Sequence, residues 1–197
     1  GAAGLMAAVA AAQQLTSAGN SGKVIVLEKM PRPGRKIMIT GKGRCNFTNV
    51  KPWNEFSGHI HPKPNFLKPA FYNLNSEKMV DFLQGHGVEC VVERGDRAFP
   101  ASHLASDVVD GLLKAAGKSG AQVLCGKEVK EIRRNDDGQE HFTVKFSDSS
   151  IYTCCKIIIC TGGLSYPKTG STGDGYKWGE EMGHSIRPLF PSLTAIV

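Results

Sequence analysis

The chain has 197 residues, is 41% hydrophobic and carries a formal net charge of +6. That is enough apolar content for one buried core, or one core plus an excursion. No apolar run reaches the roughly 18–20 residues needed to span a bilayer, because the longest, Leu5 to Ala12, is flanked by Gly4 and Gln13, so no membrane partner is expected. The six cysteines, Cys45, Cys90, Cys125, Cys154, Cys155 and Cys160, form no Cys-x-x-Cys pair and no zinc-like quartet. Free thiols in a reducing cytoplasm are therefore expected, with no bound metal.

In chain order, Gly1-Ala2-Ala3-Gly4 leads into an alanine-rich helix carrying Leu5, Met6, Val9 and Leu15, which stops at Ser17 to Asn20. No initiator methionine and no basic segment precede this run, so it reads as a start inside a motif and not as a secretory signal. Lys23 to Glu28 is a short apolar, β-branched run, as in a parallel strand buried on both faces. Glycine turn, helix and strand make most of a βαβ unit without its first strand.

From Pro31 to about Pro69, prolines and glycines predict a long, loop-rich stretch, and loops of that length usually serve function. Helices follow at Ser76 to Gly85 and Ser102 to Lys118, each with a serine at its N-cap, and a strand lies between them at Val88 to Glu93. Strands are predicted at 122–124, 128–133, 142–146 and 156–160, with turns at Asn135 to Gly138 and Ser147 to Ser150. An antiparallel meander thus returns to a buried strand. A helix is predicted over Thr172 to Gly183. Residues 1–190 read as one nucleotide-binding domain with a helical and loop excursion over 50–120, and 191–197 as the start of a second.

Two places point to a ligand. Gly1-x-x-Gly4 opening a helix is a remnant of the turn that seats a pyrophosphate on a helix N-terminus, and Glu28 ends the next strand at about the interval of a ribose-binding carboxylate. Glu28 favours a free 2′-hydroxyl, as in FAD or NAD. An ordinary core helix after a glycine is the alternative. The apolar run Ile157 to Cys160 empties into Thr161-Gly162-Gly163, where backbone must approach something closely or simply turn.

Six basic residues, Lys29, Arg32, Arg35, Lys36, Lys42 and Arg44, call for an anion, either a phosphorylated cofactor or a nucleic-acid backbone. Aromatic residues do not interleave them, which disfavours nucleic acid. Cys45 beside Lys42 and Arg44 is either a thiolate or a packing residue. His59-x-His61 lacks further metal ligands, and Gly41-Lys42-Gly43 lacks the hydroxyl of a phosphate-binding loop. Arg94-Gly95-Asp96 and Asn46-Phe47-Thr48 match extracellular motifs by chance.

Several separated motifs resemble the BaiN-like NAD(P)/FAD-dependent oxidoreductases, a bacterial flavoprotein family with members called aminoacetone oxidase. They are Gly1 to Ala8, the block Gly34 to Asn49, Phe99-Pro100, Thr161 to Pro167 and Gly170 to Tyr176. The resemblance implies an α/β fold, a glutathione-reductase-like, Rossmann-type FAD-binding parallel sheet with a β-meander, lacking here its first strand and the substrate domain that would follow. It implies Gly1, Ala3 and Gly4 on the pyrophosphate, Glu28 on the ribose and Val129 near the adenine. Thr40, Gly41, Lys42, Arg44, Cys45 and Asn46 would line the flavin side, with Lys29, Arg35 and Lys36 as further cofactor contacts. Thr161, Gly162 and Gly163 would close over the cofactor, and Gly173 and Asp174 would open a helix near it.

The implied activity is hydride transfer between NAD(P)H, FAD and a small organic substrate, either ene-type reduction or amine or ketone oxidation. Lys36, Lys42 and Arg44 are candidates to stabilise negative charge, with Cys45 a further catalytic candidate. An RNA-associated or tRNA-modifying module using the basic loop 29–44 is the alternative, and a plain NAD dehydrogenase a third. Asp96 departs from the family, which usually has glycine there. Without the first strand, this stretch alone is expected to hold FAD weakly.

Overall fold

In a computed structural model that describes residues 1–135 and 141–191, the chain divides into two compact units, Gly1–Gly126 and Lys127–Val197.

In the first unit α1 (Ala2–Ser17) buries Leu5, Ala8, Val9 and Ala12, a spacing that lines one helical face. β1 (Ile25–Glu28) pairs in parallel with Gln122–Cys125, from Ile25 opposite Gln122 to Glu28 opposite Cys125. The sequence predicts a parallel setting for β1, but its partner here is the 122–125 strand, which the sequence assigns to the antiparallel meander. β1 is not buried on both faces, however, and Ile25 is exposed. Residues 23 and 24 precede the strand proper, although Val24 O accepts from Gln122 N.

The predicted loop from Pro31 holds short helical pieces: α2 (Arg35–Ile39), a 3-10 turn at Thr40–Gly43, then α3 (Trp53–Phe56), 3-10 turns at Ser57–His59 and Pro64–Phe66, and α4 (Lys68–Asn73). Between them lies β2 (Thr48–Asn49). α5 (Ser76–Gln84) is capped by Asn75, whose side chain accepts from Lys78 N, and not by the serine expected. An asparagine one residue upstream does the same work.

β3 (Cys90–Glu93) and β4 (Arg97–Pro100) form an antiparallel sheet with β2 in the order β2-β4-β3, which the sequence did not announce. The turn joining β3 to β4 puts Asp96 at φ 59. There the family's usual glycine is free of strain and aspartate is one of the few tolerated substitutes.

α6 (Ala105–Lys118) starts three residues later than the predicted Ser102. Its N-cap, Leu104, offers no side-chain cap, although Ser102 Oγ accepts from Leu104 N at 3.2 Å. It leads into β5 (Gln122–Cys125). The core is chiefly α1 against α6: Leu5, Ala8, Val9 and Ala12 meet Val108, Leu112, Ala115 and Ala116, joined by Leu83, Val88 and Cys45. Alanines on both helices let the axes approach, and the apolar area removed from water supplies the stability.

In the second unit β6 (Val129–Arg134), β7 (Phe142–Phe146) and β8 (Ile151–Cys154) form an antiparallel meander in the order β6-β7-β8. A meander is expected from the sequence, but its third strand is Ile151–Cys154, which was not predicted, and the 122–125 strand pairs with β1 instead. Ile132, Val144 and Phe146 are its buried face. The Ser147–Ser150 turn is fixed by Asp148, which accepts from Ser150 Oγ at 2.5 Å, from Lys127 Nζ at 2.9 Å and from Ser150 N at 3.0 Å. Those bonds hold its carboxyl well below the usual carboxylate range. Of the other predicted turn, only Asn135 is among the described residues.

The predicted strand at 156–160 is not part of any ladder among the described residues, and Ile158 is 63% exposed. An apolar run becomes a strand only where a neighbour takes its backbone N–H and C=O groups. α7 (Asp174–Glu181) is shorter than the predicted helix at both ends and buries Trp178.

Candidate functional site

In the first unit the glycine turn and the strand-end acid do come together. The backbone nitrogen of Gly1 lies 3.6 Å from Glu28 Oε2, and Glu28 Oε1 accepts from Met30 N at 3.0 Å. The first turn of α1, which contains Ala3 and Gly4, has no side-chain cap and no acidic residue of its own, and the Glu28 carboxylate is the anion beside its positive end. Uncapped donors and an adjacent carboxylate fit a nucleotide pyrophosphate and ribose.

The Thr40–Asn46 loop is wound tightly. Gly41, Lys42 and Gly43 have φ of 56, 58 and 88, and Cys45 has φ 59. The loop closes on itself through Cys45 N to Thr40 O (3.1 Å) and Arg44 N to Gly41 O (3.2 Å). Asn46, with its amide turned to donate, reaches Thr48 O at 3.0 Å and Ala98 O at 3.3 Å, tying the loop to the β2-β4-β3 sheet. Cys45 is buried in the core. Burial pushes its thiol up, against a smaller opposing effect from Thr40, which supports its reading as a packing residue over its reading as a thiolate.

Arg44 is not an uncommitted cation. Its guanidinium sits 4.5 Å from the centroid of the Phe99 ring, donates to Glu93 and meets His103 Nδ1 at 2.9 Å. His103 is itself 3.7 Å from Glu93 and holds a positive φ of 57. Glu93, Phe99 and His103 thus fix the arginine, and Glu93 neutralises much of its charge. Sequence reasoning missed Glu93 and His103. The only local signal was Phe99-Pro100.

Glu93→Gln is expected to leave the fold intact while loosening Arg44. Since a half-exposed ion pair of this kind is worth about 1 kcal/mol or less, the melting temperature should move little and the flavin spectrum or reduction rate should change. An unchanged spectrum and rate would show that Arg44 does not act at the cofactor.

Of the remaining basic candidates, Arg35 and Lys36 lie in α2, and Lys29 and Lys42 in the flanking turns. Arg32 is paired with Asp110 at 2.6 Å, which ties this stretch to α6.

In the second unit Thr161, Gly162 and Gly163 pack against the segment that carries Gly173 and Asp174. Gly175 N donates to Thr161 Oγ1 at 3.1 Å. A Cβ on Gly162 would stand 2.9 Å from Ser171 Oγ, and one on Gly163 3.0 Å from the Tyr176 hydroxyl. Thr172 Oγ1 donates to Asp174 Oδ1 at 2.9 Å. Ser171 was not foreseen as part of this cradle, although the glycine spacing of Gly170 to Gly175 was a signal for it. Val129 pairs with Phe146 beside a bulge in β6. Among the described residues no group of three or more His, Cys, Asp or Glu could hold a metal, and no helix is long and apolar enough to cross a membrane.

Comparison with known proteins agrees with this geometry. The family described as HI0933-like protein Rossmann domain matches residues 1–191. The chain belongs to that family. It is the family of the BaiN-like flavoproteins that the motifs resemble, and the Rossmann-type, nucleotide-binding fold class follows from it.

Similar curated proteins include the ribosomal RNA dihydrouridine synthase of Escherichia coli, 30% identical over 89% of this chain and 42% of that protein. That of Haemophilus influenzae is 30% identical over 98% and 46%. The 3-dehydro-bile acid delta(4,6)-reductase of Clostridium scindens is 27% identical over 100% and 45%. The chain thus spans less than half the length of these relatives. Among solved structures, the Diels-Alderase PyrE3 is similar in fold, with a TM-score of 0.50 at 13% identity over 86% of this chain and 32% of that one.

Proposed function

We propose that the protein is an FAD-dependent reductase that adds hydrogen across a carbon–carbon double bond conjugated to a carbonyl, with NAD(P)H as electron donor. The observation that carries the nucleotide part is the uncapped N-terminus of α1 beside Glu28. The Gly1 to Gly4 turn would receive the pyrophosphate on backbone N–H groups, and Glu28 would accept hydrogen bonds from the ribose hydroxyls. Thr40 to Asn46 would shape the isoalloxazine side, with Lys42 and the anchored Arg44 setting the local charge. Thr161 to Gly163, held by Gly175, is the further backbone segment that the motifs assign to the cofactor. FAD, when bound, supplies the hydride chemistry.

The double-bond part rests on the relatives. Making dihydrouridine and reducing a delta(4,6) steroid both describe saturation of an alkene next to a carbonyl. Hydride goes to the electron-poor carbon and a proton to its neighbour, so amine or ketone oxidation is the less favoured chemistry.

Two substrate classes follow, a small enone and uracil within RNA. The second is favoured by two relatives that are ribosomal RNA dihydrouridine synthases. The test is anaerobic incubation of the full-length protein with NADH or NADPH and either a conjugated steroid enone or uridine-containing ribosomal RNA. The expected result is bleaching of the flavin bands by the nicotinamide and a product heavier by one hydrogen molecule. Bleaching without saturation of either substrate would refute the proposed reaction.

A further inference from the structure

The excursion between β2 and α5 has a chemistry that the flavin reading does not use. From Phe56 to Ser76 there is no acidic residue, while Lys63, Lys68, His59 and His61 fall in the same span. Lys63 and Lys68 are exposed and make no ion pair among the described residues. An unbalanced cationic segment attracts a polyanion.

The aromatic residues of the excursion divide into two sets. Phe71 turns inward, 5.2 Å from Trp53 and 5.5 Å from Phe56 between ring centroids. These rings form a small aromatic cluster that holds α3 and α4 together. Phe66 turns outward, 83% exposed, while Tyr72, whose ring meets Phe71 edge-on at 5.7 Å and Trp53 at 6.2 Å, borders that cluster and still leaves 55% of its surface open. Lys68 and Tyr72, four residues apart in α4, share one face of that helix. Lys78 Nζ donates to the carbonyls of Tyr72 and Asn73, capping the C-terminal end of α4 and fixing Tyr72 in place.

An exposed phenyl and an exposed phenol beside unpaired lysines on a supported turn-helix have the two properties that single-stranded RNA requires. Flat rings take bases by stacking, and cations take phosphates. A lipid surface also accepts rings beside lysines, and RNA is favoured over it because two relatives are ribosomal RNA dihydrouridine synthases; an acidic protein would not need exposed rings.

We propose that residues 56–76 form a single-stranded RNA-binding surface, in which Phe66 and Tyr72 stack on bases and Lys63 and Lys68 contact phosphates. The inference rests on and deepens the RNA-substrate reading above, and it moves the nucleic-acid contact from the basic loop 29–44 to the aromatic excursion.

The experiment measures binding of a mixed-sequence single-stranded RNA oligonucleotide to the full-length protein by fluorescence anisotropy across a salt series. Phe66→Ala and Tyr72→Ala are each expected to weaken binding about five-fold or more. Lys63→Gln with Lys68→Gln should lower the slope of log affinity against log salt by about 1.4. In all these variants flavin content and reduction by the nicotinamide should stay unchanged, because none of the substituted side chains belongs to the Gly1 to Gly4 turn, to Glu28 or to the Thr40 to Asn46 loop. RNA binding that none of the substitutions alters overturns the surface and leaves the RNA reading standing. No RNA binding at all overturns both while flavin reduction persists. Binding to phosphatidylserine-containing vesicles in preference to RNA, lost in the same variants, overturns the choice of partner.

Discussion

Gly34→Ala is expected to destabilise the protein by roughly 2–5 kcal/mol, from a left-handed backbone penalty of about 1–2 and overpacking of about 1–3. Gly34 has φ 77, and a Cβ there would stand 2.8 Å from Val109 Cγ2 and 3.1 Å from its Cγ1. Val109 is fully buried in α6, so it cannot swing away. Gly34 is also the N-cap of α2, the helix that delivers Thr40 to Asn46. The substitution should therefore lower the urea midpoint and reduce flavin occupancy together. Gly117→Ala is the contrast, since Gly117 lies in α6 with nothing within 4 Å of its Cβ position. It should stabilise by about 0.5–1 kcal/mol. Equal effects at the two positions would contradict the packing described for α2 on α6.

Gly175→Ala is the second large effect. Its Cβ would fall 2.5 Å from Thr161 Oγ1 and 2.9 Å from Ile159 Cγ2, so the Thr161-Gly162-Gly163 turn must move. Overpacking of about 1–3 kcal/mol and a lost hydrogen bond of about 1 kcal/mol act on the same turn. If that turn contacts the cofactor, FAD affinity should fall on the order of ten-fold to a hundred-fold, at about 1.4 kcal/mol per factor of ten. Thr161→Ala removes the oxygen that the new methyl would strike, so the double variant should recover part of the loss. Strictly additive losses would show that the clash is not the cause, because only residues in contact couple in this way.

Sequence alone disclosed much of this. The alanine-rich α1 and the parallel β1 followed from helix propensity and a β-branched run, and β7 begins and ends at the residues expected, Phe142–Phe146. The β2-β4-β3 sheet did not, because β2 is two residues long and β4, Arg97–Pro100, ends in proline and shows no alternation. Residues 156–160 were misread because apolarity reports a wish for burial and says nothing of whether a ladder partner is present. At the site, Glu28 and the glycines were legible as a spaced motif. Glu93 and His103 were not, since they meet Arg44 across 49 and 59 residues of sequence and no local pattern encodes such a pairing.

The central claim, that the Gly1 to Gly4 turn and Glu28 hold the adenosine diphosphate half of FAD, is tested most directly by identifying the flavin released from the denatured full-length protein and comparing it with Glu28→Ala. The account predicts FAD from the unsubstituted protein, and a sharp loss of FAD from the variant at an unchanged melting temperature of the flavin-free form. Release of FMN, or full FAD occupancy in Glu28→Ala, would contradict it.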